Sequence, residues 1–307
     1  MRVVFFGTPE FAVPSLEALL GEGFDVVAAV TQPDKPQGRS RSTAVPPPVK
    51  TAAAAEDVPV LQPERPSDPA FLERLRALAP DVGVVVAYGH ILKPDLLALP
   101  RRGMINLHPS LLPELRGAAP VEWAILNGLT QTGVTIMQMD EGLDSGPILL
   151  QIPHDVDPDV TGGELSEHLS EMGAQALVEA LALFQTSGLE PHPQEHARAT
   201  YAPKLTRDTA RILWAEPAER VSRLIRALDP RPGAWTELDG REVKLFGARV
   251  VDDRGPPGEV RKTEDGLRIT TGRGAVQVEE VQPAGKPRMP AADWVRGRGA
   301  QAGQRFG

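Results

Sequence analysis

Apolar residues in the first half of the chain alternate between short continuous runs and runs with helical spacing. Continuous runs are typical of strands that are buried on both faces. They predict strands at Arg2–Phe6, Val26–Thr31, Val82–Ala87, Met104–Leu107, Val134–Met139 and Ile148–Ile152. Helical spacing predicts helices at Pro14–Leu20, Phe71–Leu78 and Ala119–Leu126. This order predicts an α/β domain with a parallel, Rossmann-like sheet.

A long helical pattern closes this region. Apolar residues at spacings of three and four predict one helix over Gly163–Phe184. The following stretch, Gly188–Lys204, contains Pro191 and Pro193 and shows little periodicity. Such a stretch is typical of a linker. The segment between Gln32 and Pro48 is likewise predicted as a loop, because it is rich in Pro, Gly and Arg.

The rest of the chain has a different pattern of predicted elements. A helix is predicted at Pro217–Leu228, and several short strands follow it. These strands are predicted at Trp235–Leu238, Val243–Val250, Leu267–Thr271 and Ala275–Val281. Short strands separated by turns predict a small OB-like β-barrel domain. The predicted organisation is an α/β domain at 1–189, a linker at 190–206 and a β-barrel domain at 207–307.

Composition narrows the class of protein. The 307 residues include no cysteine, which excludes disulfides, thiolate catalysis and cysteine-bound zinc. The start of the chain lacks the long apolar core of a signal peptide, and no stretch is apolar enough to span a membrane. We therefore expect a cytoplasmic protein with no membrane partner. The net charge of −8 disfavours nucleic acid as a partner. The excess of acidic residues, however, is confined to 1–206, and 207–307 is mildly basic.

Candidate chemistry lies where a predicted strand ends. Ligands of open parallel sheets bind beyond the carboxyl ends of the strands. Asn106 and His108 are two positions apart at such an end, so their side chains share one face. Asp144 follows another strand, in a sharp loop with glycines and a proline that can bring it against His108. A G-x-G-x-x-G fingerprint is missing after the first strand, which disfavours a nicotinamide cofactor.

These three residue types together supply the parts of an acyl-transfer site. Asn106 can donate an amide N–H to a developing oxyanion, and a protonated His108 can do the same. Asp144 can favour the imidazolium and relay a proton from an attacking amine. Ser110, the one nearby hydroxyl considered as a nucleophile, has no obvious activating base, which favours direct transfer. The spacing alone is equally compatible with a hydrogen-bonded turn in which Asp144 forms an Asx-turn.

The motifs around these residues resemble the methionyl-tRNA formyltransferases, within the folate-dependent formyltransferases, over nearly the whole chain. The motifs that carry the resemblance are VVFFGTPEF (Val3–Phe11), TQPDKP (Thr31–Pro36), VVVAYG (Val84–Gly89), NLHPSLLPELRGAAP (Asn106–Pro120), GVTIMQMDEGLDSG (Gly133–Gly146) and QPAGK (Gln282–Lys286). The resemblance implies transfer of the formyl group of 10-formyltetrahydrofolate to the α-amine of methionyl initiator tRNA, through a tetrahedral intermediate. It implies a catalytic role for Asn106, His108 and Asp144.

The resemblance also implies binding residues for both substrates. Folate contacts are implied at Ser110, Leu111, Leu112, Pro113, Val86, Tyr88 and Asp140. Contacts with tRNA are implied at Lys35, Arg39, Arg41 and Lys204, and the C-terminal domain is implied to bind tRNA. A basic loop suits the phosphates of an RNA end. Its basic residues could also be merely solvated, and Lys204 could hold the linker instead of touching RNA.

Two other functions stay open at this level. The same chemistry could serve another amine, such as that of a sugar nucleotide or of glycinamide ribonucleotide. Alternatively, the chain could be a non-catalytic RNA- or nucleotide-binding protein. The basic loop and the second domain argue against the first alternative, and the complete set of Asn106, His108 and Asp144 argues against the second. No metal is expected, because the one histidine pair with i, i+4 spacing contains a proline. The resemblance implies a monomer.

Overall fold

The computed structural model describes residues 1–37, 43–186, 189–263 and 266–307. The chain forms two compact units, which are described separately. The first unit comprises Met1–Gly117, Thr132–His154 and Ser166–Tyr201. The second unit comprises Ala118–Gln131, Asp155–Leu165 and Ala202–Gly307. No helix in the described residues is long and apolar enough to cross a membrane.

The elements follow the predicted alternation. The strands are β1 (Arg2–Gly7), β2 (Asp25–Val30), β3 (Lys35–Gln37), β4 (Thr43–Val45), β5 (Val60–Leu61), β6 (Val82–Val86), β7 (Met104–His108), β8 (Arg116–Gly117), β9 (Gln131–Gln138), β10 (Ile148–Asp155), β11 (Tyr201–Ala202), β12 (Ala234–Leu238), β13 (Arg241–Val251), β14 (Val260–Thr263), β15 (Gly266–Thr270), β16 (Ala275–Pro283) and β17 (Met289–Pro290). The α-helices are α1 (Val13–Gly21), α2 (Pro48–Ala55), α3 (Pro69–Ala77), α4 (Pro94–Leu97), α5 (Pro120–Leu126), α6 (Gly162–Gln185), α7 (Ala218–Ala227) and α8 (Ala291–Arg296). Short 3-10 helices lie at Glu10–Ala12 and His196–Arg198.

The sheet of the first unit has the strand order β10-β9-β7-β6-β1-β2-β5. Strands β7, β6, β1, β2 and β5 run parallel to one another. Val3 to Phe6 of β1 are fully buried, as the continuous apolar run predicts for a strand covered on both faces. The Rossmann-like α/β prediction is confirmed. One detail differs, because β9 runs antiparallel to β7. An apolar run reports burial and carries no information on strand direction.

Prolines and caps set the helix boundaries in this unit. Helices α2 and α3 both begin with proline, whose missing N–H is not needed in a first turn. The Asp68 side chain caps α3 by accepting a 3.0 Å hydrogen bond from the Ala70 N–H. The apolar stripe of α6 predicted from the sequence is buried, including Leu165 and Leu169.

The second unit is built on one curled antiparallel sheet. Its strand order is β12-β13-β16-β15-β14, and β17 pairs with β16. A single hydrophobic core contains Leu245 and Val278 from the sheet, Ile225 from α7, and Trp214. This arrangement confirms the prediction of a small β domain after the α/β domain. Arg288 adds a polar contact, because it forms an ion pair with the buried Asp229 at 2.7 Å.

The prediction of a loop between Gln32 and Pro48 was partly wrong. Lys35 pairs with Val45, and β3 and β4 form a two-stranded antiparallel ladder. Prolines at positions 36 and 46–48 hide this pairing from a sequence pattern, because proline disfavours strands away from edges. Residues 38–42, at the tip, lie outside the described residues.

The segment 189–201 is folded into the first unit. His192 and Ile148 exchange two backbone hydrogen bonds of 2.8 Å. The Gln194 side chain is buried. Prolines suppress any periodic pattern here, so the order of this segment comes from individual hydrogen bonds.

Candidate active site

Strand β7 presents alternate side chains to two sides of the sheet. Leu107 packs against α6 at Gly173, where an added Cβ would lie 2.6 Å from the leucine Cδ1. Asn106 and His108 therefore share the opposite side. Both are buried, with exposed fractions of 8% and 4%. The strand end thus holds an amide and an imidazole side by side, as the sequence spacing predicts.

The two nitrogens of His108 have different surroundings. Nε2 lies 3.0 Å from the carbonyl oxygen of Leu115. A carbonyl oxygen only accepts hydrogen bonds, so Nε2 carries the hydrogen. Nδ1 faces Asp144, with 3.8 Å between it and Oδ2. This distance is too long for a direct hydrogen bond but leaves the carboxylate facing the imidazole. The structure therefore brings His108 and Asp144 together.

Asp144 is fixed by its backbone and by its side chain. Its φ of 48° lies in the left-handed region, which aspartate tolerates better than most residues. Oδ2 accepts a 2.8 Å hydrogen bond from the Gly117 N–H. Its carbonyl oxygen accepts a 2.9 Å hydrogen bond from Gln194 Nε2. The carboxylate consequently has one defined position beside His108.

Asp140 organises the loop that leads to Asp144. Its carboxylate accepts hydrogen bonds from the Gly142 N–H at 3.0 Å and from Ser145 Oγ at 2.9 Å. Leu143, at the tip of this loop, is exposed. Gly146 must be glycine for steric reasons, because a Cβ there would lie 1.9 Å from the Gln138 carbonyl oxygen. The structure therefore places Asp140 as the residue that closes the loop.

The turn after β7 is held rigidly from the neighbouring strands. Thr135 Oγ1 donates to the Ser110 carbonyl at 2.6 Å and accepts from the Leu112 N–H at 3.1 Å. Gln151 Nε2 donates to the Leu112 carbonyl at 2.9 Å. The Ser110 hydroxyl donates to the Glu114 carbonyl at 2.6 Å, so it is not activated by a base. Leu111 and Pro113 remain half-buried at the edge of this turn.

Val86 and Tyr88, at the end of β6, are both buried. The Tyr88 carbonyl accepts hydrogen bonds from Thr8 Oγ1 at 2.9 Å and from Gln32 Nε2 at 3.1 Å. A carbonyl oxygen has two lone pairs, so this acceptor is fully used within the protein. Burial raises the pKa of the Tyr88 hydroxyl to about 12. The Tyr88 carbonyl therefore has no free lone pair left for a ligand.

Known proteins with similar sequences share this architecture. A family model described as "Formyl transferase" matches residues 1–181, and one described as "Formyl transferase, C-terminal domain" matches residues 204–299. A methionyl-tRNA formyltransferase of Roseiflexus sp. (strain RS-1) is 50% identical over 311 residues, covering 100% of this chain and 95% of that protein. Another, of Syntrophus aciditrophicus (strain SB), is 46% identical and covers 100% of this chain and 99% of that protein. The chain belongs to the methionyl-tRNA formyltransferase family.

Solved structures with the same fold are more distant in sequence. WlaRD, described as a sugar 3N-formyl transferase, superposes with a TM-score of 0.69 at 16% identity, covering 94% of this chain and 99% of that chain. HypX from Aquifex aeolicus in complex with tetrahydrofolic acid gives a TM-score of 0.67 at 20% identity. That match covers 96% of this chain, which spans about half the length of HypX, at 47%. Both likenesses establish the fold of this family member.

Two of the basic residues predicted to contact tRNA, Lys35 and Lys204, lie in the part of the chain that the structure describes. Lys35 Nζ donates to Gln32 Oε1 at 2.5 Å. Lys204 is exposed and follows Pro203, whose carbonyl accepts from Trp123 Nε1 at 2.8 Å. Arg39 and Arg41 lie outside the described residues. No cluster of metal-binding side chains occurs within the ranges that the structure describes.

Arginines of the second unit are mostly engaged within it. The Arg207 guanidinium stacks over Trp235 at 4.2 Å and pairs with Glu242 at 2.6 Å. Arg226 donates to the Val160 carbonyl at 2.8 Å. Arg223 lines the same cavity as Arg226. This unit therefore carries cations whose positions are set by aromatic and carbonyl partners.

Sequence reasoning missed a group of polar residues behind the site. Arg116 and Gln194 are buried. The Thr200 hydroxyl accepts a 2.8 Å hydrogen bond from the Leu115 N–H in the same turn. Arg116 lies inside the motif that carries His108, which was a usable signal. Gln194 and Thr200 lie in a segment without periodicity, and nothing in their local pattern marks them.

Proposed function

We propose that the chain transfers the formyl group of 10-formyltetrahydrofolate to the α-amine of methionyl initiator tRNA, by direct attack through a tetrahedral intermediate. The product is N-formylmethionyl-tRNA for translation initiation. The observation that carries this proposal is the pairing of the buried His108 with the half-buried Asp144, beside the buried Asn106 at the end of β7. Membership of the family supports the choice of both substrates.

The residues divide the chemistry between them. The amine nitrogen forms a bond to the formyl carbon, and negative charge develops on the formyl oxygen. Asn106 donates an amide N–H to that oxygen. His108 uses Nδ1 for the same purpose when protonated, because Nε2 is already committed to the Leu115 carbonyl. Donors that are fixed before the reaction stabilise the oxyanion without a reorganisation cost.

Asp144 handles the proton in this scheme. The attacking amine becomes positively charged as the new bond forms, and it must lose one proton before the bond to the folate nitrogen breaks. The Asp144 carboxylate accepts that proton, and the departing N10 nitrogen receives a proton in return. The hydrogen bond from the Gly117 N–H keeps the carboxylate oriented throughout.

The folate co-substrate is assigned to the turn after β7 and the loop that Asp140 closes. Leu111, Leu112 and Pro113, on the turn fastened by Thr135 and Gln151, supply apolar surface, and the Ser110 carbonyl and hydroxyl are internally bonded. A flat pterin fits an apolar slot with a few backbone hydrogen bonds. Those bonds are assigned to the backbone of Val86 and of the loop that Asp140 closes, and the Tyr88 side chain supports the wall. The residues therefore fit the group.

Transfer RNA is assigned to the basic residues outside this turn and loop. Lys35, Arg39, Arg41 and Lys204 supply positive charge for phosphates of the acceptor end, and the arginines of 207–307 extend it. Because this substrate is found where translation takes place, the proposal includes action in the cytoplasm. It also includes action as a monomer, as the resemblance to the family implies.

The test is an incubation of the protein with 10-formyltetrahydrofolate and methionyl initiator tRNA, followed by detection of formylmethionyl-tRNA. Asp144→Asn, which keeps an oxygen for the Gly117 N–H but removes the charge, is expected to lower kcat by about 100-fold. Parallel incubations with an amino-sugar nucleotide and with glycinamide ribonucleotide separate the alternatives. Product from one of these amines and none from the charged tRNA would overturn the proposal.

A further inference from the structure

Both ends of the Gln194 side-chain amide are hydrogen-bonded to residues of the candidate active site. It is 6% exposed, although it lies in a stretch whose sequence resembles a linker. Its Nε2 donates to the carbonyl oxygens of Asp144 at 2.9 Å and of Gly146 at 2.7 Å. An amide NH₂ has two hydrogens, and both are used to hold the backbone on either side of Ser145.

The other end of the Gln194 amide is equally occupied. Its Oε1 accepts from Arg116 Nε at 3.2 Å and from Arg116 Nη2 at 2.6 Å. Nη2 also lies 3.0 Å from Nδ1 of His196, which must accept because a guanidinium only donates. Arg116 is itself buried. Its positive charge polarises the Gln194 amide and strengthens the hydrogen bonds that the amide donates.

These contacts form a closed ring of bonds around Asp144. The backbone of Asp144 is bound to Gln194, Gln194 is bound to Arg116, and Arg116 is followed in the chain by Gly117. The Gly117 N–H then returns to the Asp144 carboxylate at 2.8 Å. Each bond in the ring has a fixed direction, so the amide of Gln194 cannot be turned round without placing like groups against each other.

We propose that Gln194 and Arg116 are positioning residues that hold the Asp144 carboxylate in register with Nδ1 of His108. This inference rests on the proposed formyl transfer. Asp144 has a left-handed backbone, which needs support from surrounding contacts, and its 3.8 Å separation from His108 leaves little tolerance for drift. A misplacement of about 1 Å at a catalytic group can lower a rate by about 100-fold.

Two substitutions at Gln194 test the hydrogen bonds of its NH₂ group separately from those of its Oε1. Gln194→Leu removes every hydrogen bond and is expected to lower kcat by about 100-fold, with KM for both substrates changed less than about threefold. Gln194→Glu improves the contact with Arg116 but sets a carboxylate against the carbonyls of Asp144 and Gly146. It is therefore expected to lose at least as much kcat as Gln194→Leu. Near-normal activity of Gln194→Glu would contradict the proposal, because this variant keeps the contact with Arg116 but loses the hydrogen bonds to the carbonyls of Asp144 and Gly146.

Gln131→Leu is the matched control. Gln131 is exposed and donates only to the Asp155 carboxylate, at 3.2 Å. This variant is expected to keep full activity. Circular dichroism and thermal unfolding of all variants show whether each is folded.

A double-mutant cycle asks whether Gln194 acts through Asp144. In the Asp144→Asn background, Gln194→Leu is expected to lower kcat by less than about threefold, because the group that it positions has already lost its function. A full, independent loss of about 100-fold in that background would assign Gln194 a structural or separate role and overturn the proposal.

Amide hydrogen exchange gives a readout that does not depend on activity. The Gly117 N–H is bonded to the Asp144 carboxylate, so its exchange is expected to accelerate at least about tenfold in Gln194→Leu and to stay unchanged in Gln131→Leu. Unchanged exchange in folded Gln194→Leu would refute the positioning role. Faster exchange in a protein that formylates no tRNA would leave the positioning role standing and refute the proposed function instead.

Discussion

The residues assigned to chemistry and those assigned to tRNA are held in very different ways. His108 is buried and Asp144 half-buried, and each is fixed by a hydrogen bond to the chain between Leu115 and Gly117 in the first unit. Lys204 is exposed, and Arg39 lies outside the described residues. Stabilising a developing oxyanion requires donors fixed in advance. Attracting the phosphate backbone of an RNA needs only cations on long side chains, since much of the binding free energy comes from released counterions. We therefore expect one mutation to stop the chemistry, whereas binding of tRNA should weaken in small steps.

The largest effect is expected for His108→Ala. Loss of the oxyanion donor should lower kcat by about 100-fold or more, with the affinity for tRNA nearly unchanged. Steady-state kinetics and a separate tRNA-binding titration check the two halves of this statement. His168→Ala, at an exposed position, serves as the control and should behave like the unaltered protein. A His108→Ala variant with near-normal kcat would eliminate the mechanism.

The next effect is the dependence of the reaction on salt. If Lys35, Arg39, Arg41 and Lys204 each neutralise one phosphate, KM for tRNA should rise by about 100-fold between about 50 and 200 mM salt. KM for folate should change little, because its contacts are apolar and hydrogen-bonded. Initial rates at a series of salt concentrations test this. Equal salt dependence for both substrates would break the distinction between the two regions.

A smaller effect is expected for Arg39→Ala. Removal of one phosphate contact should raise KM for tRNA by about tenfold, which corresponds to about 1.4 kcal/mol, and leave folate binding intact. Arg65→Ala, which removes an exposed arginine of the first unit, provides the comparison and should be neutral. Equal loss of tRNA use and folate binding would remove the role assigned to this loop.

The smallest effect is expected for Lys204→Ala. An exposed lysine at a phosphate contributes about 0.5 kcal/mol, so KM for tRNA should rise by about two- to threefold. The alternative role, holding the chain between domains, predicts a lower melting temperature at unchanged KM. Thermal unfolding together with kinetics distinguishes the two roles.

The catalytic pairing was accessible from the sequence because local rules determine most of it. Asn106 and His108 share a face since side chains alternate along a strand, and the glycines around Asp144 predict a sharp loop. The direction of β9 and the ladder between β3 and β4 were not accessible, because apolar runs do not report direction and prolines mask short strands.

The surroundings of the site were harder still to predict. Arg116 and Gln194 are 78 positions apart in the sequence and meet through side-chain hydrogen bonds. Contacts of this kind leave no periodic trace, since Gln194 lies in irregular chain and Arg116 lies in a strand of only two residues. The same holds for Leu115, which acts through its backbone carbonyl and whose identity therefore says nothing about its role. Polar contacts between distant irregular segments become visible only in three dimensions.

The close fit of Leu107 against Gly173 has a consequence for interpreting natural variants. The leucine lies between Asn106 and His108, the two side chains of β7 proposed to be catalytic, and the helix opposite leaves room for it only because position 173 lacks a side chain. A change from glycine to alanine there would look harmless by most measures of chemical similarity. It would nevertheless push on the strand between Asn106 and His108, so a mild-looking allele on α6 could behave as a catalytic defect without touching either substrate.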